Sequence, residues 1–78
     1  MDLTVYTKGQ LDFIDQHTRK LMVNWCDHAL HTGTIPKDNG TGRGIIYLQY
    51  AIKKKWIAAD GTRVLAAGWS TAARFLKR

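Results

Sequence analysis

The chain has 78 residues, of which 45% are hydrophobic, and its twelve Lys and Arg against six Asp give a formal net charge of +6. This length provides for one small core, so residues 1–78 are predicted to form a single domain, and the apolar content excludes a disordered chain. The single cysteine excludes an intramolecular disulfide, and no stretch approaches the roughly 18 apolar residues of a membrane span.

A long first helix is predicted over residues 8–31. It follows a short segment, LTVYT, whose alternation fits an edge strand. Thr7 and Gln10 have the spacing of a capping box, and Gly33 is a left-handed stop. The apolar positions expected on one side of the helix include Leu11, Ile14, Leu21 and Trp25. Since one small core cannot cover so long a face, a homodimer can form through these four residues.

The second helix is predicted to begin near Thr41 or Gly42 and to end at about Lys55. Its buried face is expected to comprise Ile45, Leu48, Ile52 and Trp56. The opposite face is expected to carry Arg43, Tyr47, Tyr50 and Lys54, flanked by Lys53. The glycines at the entry, in NGTGRG, lack the preceding strand and the Lys-Ser/Thr pair of a nucleotide-binding loop. They fit either a flexible helix entry or a contact with a nucleic-acid phosphate.

A β-hairpin is predicted after the second helix, because a DG dipeptide separates two β-compatible runs. A two-residue turn there pairs Ala59 with Thr62 and Ile57 with Val64. The remaining residues are predicted to form a last helix capped by Ser70. The predicted fold class is therefore α+β, mainly helical, with one short hairpin.

The stretch AIKKKWIAADGTRVLAAGW, residues 51–69, resembles the second half of winged helix-turn-helix DNA-binding domains. In that family a recognition helix ends in basic residues, a hairpin forms the wing, and a glycine such as Gly68 precedes the next helix. The resemblance implies a winged-helix-like fold that binds duplex DNA as a transcriptional regulator or architectural factor. This chain departs from the family pattern in having only IPKDNG for the short helix before the recognition helix.

Binding to nucleic acid is predicted because an excess of positive charge attracts polyanions, although the same charge serves solubility. The expected contact residues are Arg43, Tyr47, Tyr50, Lys53, Lys54 and, on the wing, Arg63. Lysines at a helix C-terminus also offset the helix dipole without any ligand. Arg63 either enters a minor groove or lies in solvent.

Other chemistries are not indicated by the sequence. Cys26, His28 and His31 are close in sequence but spread over more than half of the helix circumference, so no metal site is predicted. No catalytic spacing is present, and neither an enzyme nor a cofactor is expected. The N-terminus lacks the pattern of a secretory signal, which favours a cytoplasmic protein without a membrane partner.

Two other functions fit the same charge. One is a small interaction factor, of the phage or plasmid accessory or inhibitor type, that binds an acidic protein surface through the cationic face. The other is binding to single-stranded nucleic acid or RNA, which exposed tyrosines favour.

Overall fold

The computed structural model describes residues 2–36 and 44–76. A 3-10 turn, Leu3–Val5, precedes three α-helices, namely α1 (Lys8–Thr32), α2 (Gly44–Lys53) and α3 (Ala66–Leu76). Both α2 and α3 pack against α1, which is therefore the centre of the fold. None of the described helices is both long enough and apolar enough to cross a membrane.

Helix α1 confirms the prediction made from its capping pattern. The Thr7 hydroxyl accepts the Gln10 N–H at 3.2 Å, and the Gln10 side chain accepts the Thr7 N–H at 2.8 Å. At the other end, Gly33 has a left-handed φ of 83° and donates its N–H to the carbonyl of Ala29. A side chain disfavours this φ, so glycine suits the position.

The segment before α1 is a 3-10 turn, and the predicted edge strand is wrong. The carboxylate of Asp2 accepts hydrogen bonds from the backbone N–H of Thr4 at 2.9 Å and from its hydroxyl at 2.7 Å. Such local bonds between side chain and backbone compete with strand pairing, which explains the difference.

The predicted β-hairpin wing is also wrong, because the described residues contain no strand and the fold is mainly helical. Ile57 and Val64 do pair as an isolated antiparallel bridge, in the predicted register. The predicted pair of Ala59 with Thr62 does not form, because the backbone N–H and carbonyl of Thr62 are hydrogen-bonded to other groups. The N–H of Thr62 donates to the side chain of Asp60 at 3.0 Å, and its carbonyl accepts the N–H of Ile35 at 3.0 Å.

Helix α3 begins at Ala66, well before the predicted cap at Ser70, and Gly68 lies inside it. A Cβ atom at Gly68 would lie 2.2 Å from the carbonyl oxygen of Trp56 and 2.8 Å from the Met22 side chain. Glycine at this position therefore permits close packing of α3 on α1 and on the connector between α2 and α3.

The core lies along α1 and includes residues named for the predicted dimer. The largest fully buried side chains are Trp25, Met22, Ile57 and Thr18. The Thr18 hydroxyl donates to the carbonyl of Ile14 at 2.6 Å, so its burial leaves no donor unsatisfied. Ile14 and Trp25 are 6% and 2% exposed and belong to the core, so these two residues of the predicted dimer face do not lie on the surface.

Candidate nucleic-acid interface

Three consecutive lysines are called the lysine run below: Lys53 is the last residue of α2, and Lys54 and Lys55 follow it. All three are exposed. Lys55 has a left-handed φ of 63°, and its N–H donates to the carbonyl of Ile52 at 3.0 Å. The N–H of Trp56 donates to the carbonyl of Ala51 at 2.9 Å. These two bonds define a Schellman motif, with a lysine where glycine is usual.

The Schellman motif reverses the direction of the backbone at Lys55, so the lysine run lies at a defined turn of the chain. Trp56 is buried and packs edge-on against Tyr50, with ring centroids 5.8 Å apart. An apolar contact of this kind, between the residue after the reversal and the last turn, commonly accompanies a Schellman motif. The lysines are therefore attached to an anchored stretch of backbone.

The carboxylate of Asp15 joins α1 to α2 beside the lysine run. Its Oδ1 accepts the Tyr50 hydroxyl at 2.7 Å, and its Oδ2 accepts the Nε–H of Arg19 at 2.8 Å. Partial burial by itself raises the pKa of Asp15, but the bonds from Arg19 and Tyr50 outweigh it and hold that pKa below its ordinary value of 3.8. Burial, followed by the bond to Asp15, raises the pKa of Tyr50.

Two cations lie against the aromatic rings of this cluster. The guanidinium carbon of Arg19 is 5.2 Å from the centroid of a Trp56 ring, and Nζ of Lys54 is 5.8 Å from that of Tyr50. Both distances are within the range of cation–π attraction. The positive charges of both Arg19 and Lys54 act on Asp15.

Five of the six residues predicted to contact nucleic acid lie in the described part of the chain, and they do not all share one exposed face. Arg43 lies outside the described residues. Lys53, Lys54 and Arg63 are exposed, Arg63 in the connector rather than on a wing. Tyr47 is half-buried, and its ring centroid is 4.4 Å from that of His17.

Tyr50 does not lie on an exposed face of α2 as predicted, since it is only 6% exposed. Ile45 and Ile46, at 41% and 38%, are more exposed, although Ile45 was expected to be buried. The helix is therefore turned relative to the prediction. The carboxylate of Asp15 accounts for this orientation, because it satisfies the hydroxyl of a tyrosine whose ring is buried.

Sequence reasoning did not include Arg19 in the site. Its signal in the sequence is the spacing from Asp15, since oppositely charged residues four apart on a helix are neighbours. Their ion pair at 2.8 Å confirms that relation. The contact with Trp56, which is distant in sequence, has no comparable signal.

The histidines and the cysteine near the end of α1 have separate partners. The thiol of Cys26 is buried, which raises its pKa to about 11, and lies 4.0 Å from the carbonyl of Gly68. His28 Nδ1 is 2.8 Å from the carbonyl of Thr34, and His31 Nε2 is 3.8 Å from Asp27. Within residues 2–36 and 44–76, no three metal-binding side chains converge.

Comparison with protein-family models, with curated proteins and with solved structures finds no match for this chain.

Proposed function

We propose that this protein binds nucleic acid, with duplex DNA as the favoured partner, and that the lysine run supplies the main contacts. The observation that carries the proposal is the exposure of three consecutive lysines on an anchored reversal. In the described part of the chain the ion pairs are Arg19 with Asp15 and His31 with Asp27, neither of which neutralises a lysine of the run. Lysine ammonium groups of this kind bind phosphates as point charges.

The proposed contact is with the phosphate backbone and not with base edges. A helix that reads bases from the major groove needs polar side chains along an exposed face. On α2, the hydroxyl of Tyr50 is hydrogen-bonded to Asp15, and the ring of Tyr47 packs against His17. The end of α2, rather than its side, is then the part that approaches the nucleic acid, and binding has little sequence preference.

Duplex DNA is favoured over a single strand for two reasons. Proteins that bind single strands present aromatic rings on which bases stack, whereas the two rings that pack beside the lysine run, Tyr50 and Trp56, are both 6% exposed. A duplex also carries a higher density of phosphate charge than a single strand, so a compact group of lysines neutralises more of it.

A second candidate function is binding to a protein with an acidic surface, which the lysine run also suits. Exposed apolar side chains favour this alternative. Leu30 and Leu76 are 72% and 68% exposed and lie with Trp69 along a groove between α1 and α3. Burial of exposed apolar side chains is a usual part of association between proteins.

Fluorescence anisotropy distinguishes these functions. The full chain is titrated into a labelled duplex, its separated strand, an RNA of the same sequence and an acidic peptide, each at low and at physiological salt. We expect the tightest binding to the duplex, with little difference between duplex sequences. Tighter binding to the single strand or the RNA would contradict the preference for a duplex, and binding only to the acidic peptide would support the second candidate.

A further inference from the structure

A cavity of about 310 Å³ opens between α1 and the last turn of α3 and is lined by two arginines. Its lining residues are Asp15, Gln16, Arg19, Arg74 and Phe75. Most of these lining residues are polar or charged, whereas those of the groove beside Trp69 are mostly apolar. Two arginines in the lining of one cavity suit an anion.

Arg19 is held in place before any ligand arrives. Its Nε–H is bound to Asp15, its guanidinium lies over Trp56, and its side chain is still 35% exposed. The two Nη groups are the donors that remain for a ligand. An arginine fixed in this way loses little conformational entropy on binding, which favours recognition of a phosphate by two parallel hydrogen bonds.

The charges around the cavity also favour an anion. Asp15 is the acidic residue of the lining, and both of its oxygens already accept hydrogen bonds. Arg19 and Arg74 are cationic, and the charge of Lys54 also acts on Asp15. The lining thus has two arginines and one carboxylate, and the side-chain amide of Gln16 adds hydrogen-bond donors.

We propose that this cavity binds a single phosphate group, held by Arg19 and Arg74. The identity of the ligand rests on the proposed function, in which the phosphate belongs to a nucleic-acid backbone that also contacts the lysine run. Free phosphate has the same chemistry and occupies the same place at sufficient concentration. Arg74 then completes the site from α3, while Arg19 supplies the fixed donors from α1.

The direct test is an NMR titration of the full chain with sodium phosphate against sodium chloride at equal ionic strength. We expect saturable shifts of the side-chain Nε–H signals of Arg19 and Arg74. The shifts should be lost in Arg74→Gln and retained in Lys20→Gln, which removes one charge from an exposed site on α1. Absence of saturable shifts, or shifts at Arg19 that persist unchanged in Arg74→Gln, would overturn the proposal.

A second measurement separates this site from the proposed function. Arg74→Gln should weaken duplex binding about tenfold, the effect of losing a charge-assisted hydrogen bond, with a much smaller effect from Lys20→Gln. Saturable arginine shifts with phosphate, without any duplex binding, would support the phosphate site and contradict the nucleic-acid function. Duplex binding that Arg74→Gln leaves unchanged would retain the function and overturn the assignment of the bound phosphate to the nucleic-acid backbone.

Discussion

The hydroxyl of Tyr50 on α2 donates a 2.7 Å hydrogen bond to the carboxylate of Asp15 on α1. This bond sets the orientation of α2, because the ring of Tyr50 is buried and its polar end needs a partner. The orientation in turn determines which side chains of α2 remain exposed. The end of the helix, with the lysine run, is available for binding as a result.

Tyr50→Phe is expected to lower the free energy of unfolding by about 1 to 2 kcal/mol, since one oxygen of a partly buried carboxylate loses its donor. Urea unfolding followed by tryptophan fluorescence measures the change. Tyr47→Phe is the matched control, because that ring packs against His17, and it should have a smaller effect. Equal effects of the two substitutions would contradict the role given to the bond with Asp15.

The contribution of Asp15 to stability is expected to depend on pH. The pKa of Asp15 is lowered in the folded protein, which means that the folded state stabilises the ionised carboxylate relative to the unfolded state. The stabilisation is therefore present above the ordinary value of 3.8 and is lost as the pH falls through the lower, folded pKa. Unfolding of the wild type and of Asp15→Asn across this range should show a stability difference that narrows with falling pH. A difference independent of pH would contradict this prediction.

Gly68→Ala is expected to destabilise the protein by about 2 kcal/mol or more, because the added Cβ meets backbone at the Trp56 carbonyl as well as two side chains. Gly9→Ala is the control, since a Cβ at that helical position meets nothing within 4 Å. The control should be stabilising by about 0.5 to 1 kcal/mol through helix propensity. Thermal unfolding of both variants checks the pair, and a neutral Gly68→Ala would show that α3 does not pack this closely.

Lys55→Gly is expected to stabilise the protein by about 1 kcal/mol, because a left-handed φ disfavours a residue with a Cβ atom. Lys53→Gly removes the same charge from within α2 and should destabilise by about 0.5 to 1 kcal/mol. Chemical unfolding of the two variants gives the comparison. Destabilisation by Lys55→Gly would indicate that α2 does not end in the Schellman motif.

The capping signals of α1 predicted its two ends, the strand and hairpin signals gave wrong predictions, and contacts between distant residues account for several other differences. The capping box of Thr7 with Gln10 and the stop at Gly33 involve residues close in sequence, so they could be recognised from the sequence alone. Gly68 was expected to precede the last helix, and its close approach to Trp56 explains its place inside α3. Tyr50 was expected on the exposed face because its partner, Asp15, lies 35 residues away.

In the candidate site, too, some features could be predicted from the sequence and others depend on contacts between distant residues. The lysine run was visible as a cluster of charge, and its exposure could be expected from composition alone. The burial of Trp56 was expected from its place on the apolar face of the second helix, and that of Tyr50 was not. The contact of Arg19 with Trp56 could not be predicted either, since it joins α1 to the connector. The proposed mechanism consequently changes from a helix face that reads bases to a helix end that binds phosphates.

The salt dependence of duplex binding tests this mechanism most directly. Anisotropy titrations at several salt concentrations compare the wild type with Lys53→Gln/Lys55→Asn, in which Asn suits the left-handed position, and with Lys8→Gln/Lys20→Gln as a charge-matched control on α1. We predict steep weakening with salt for the wild type and a slope of log affinity against log salt reduced by about 2 in the lysine-run variant. The control should retain most of the wild-type slope. Binding that does not respond to salt, or equal slopes for the two double variants, would contradict phosphate binding by the lysine run.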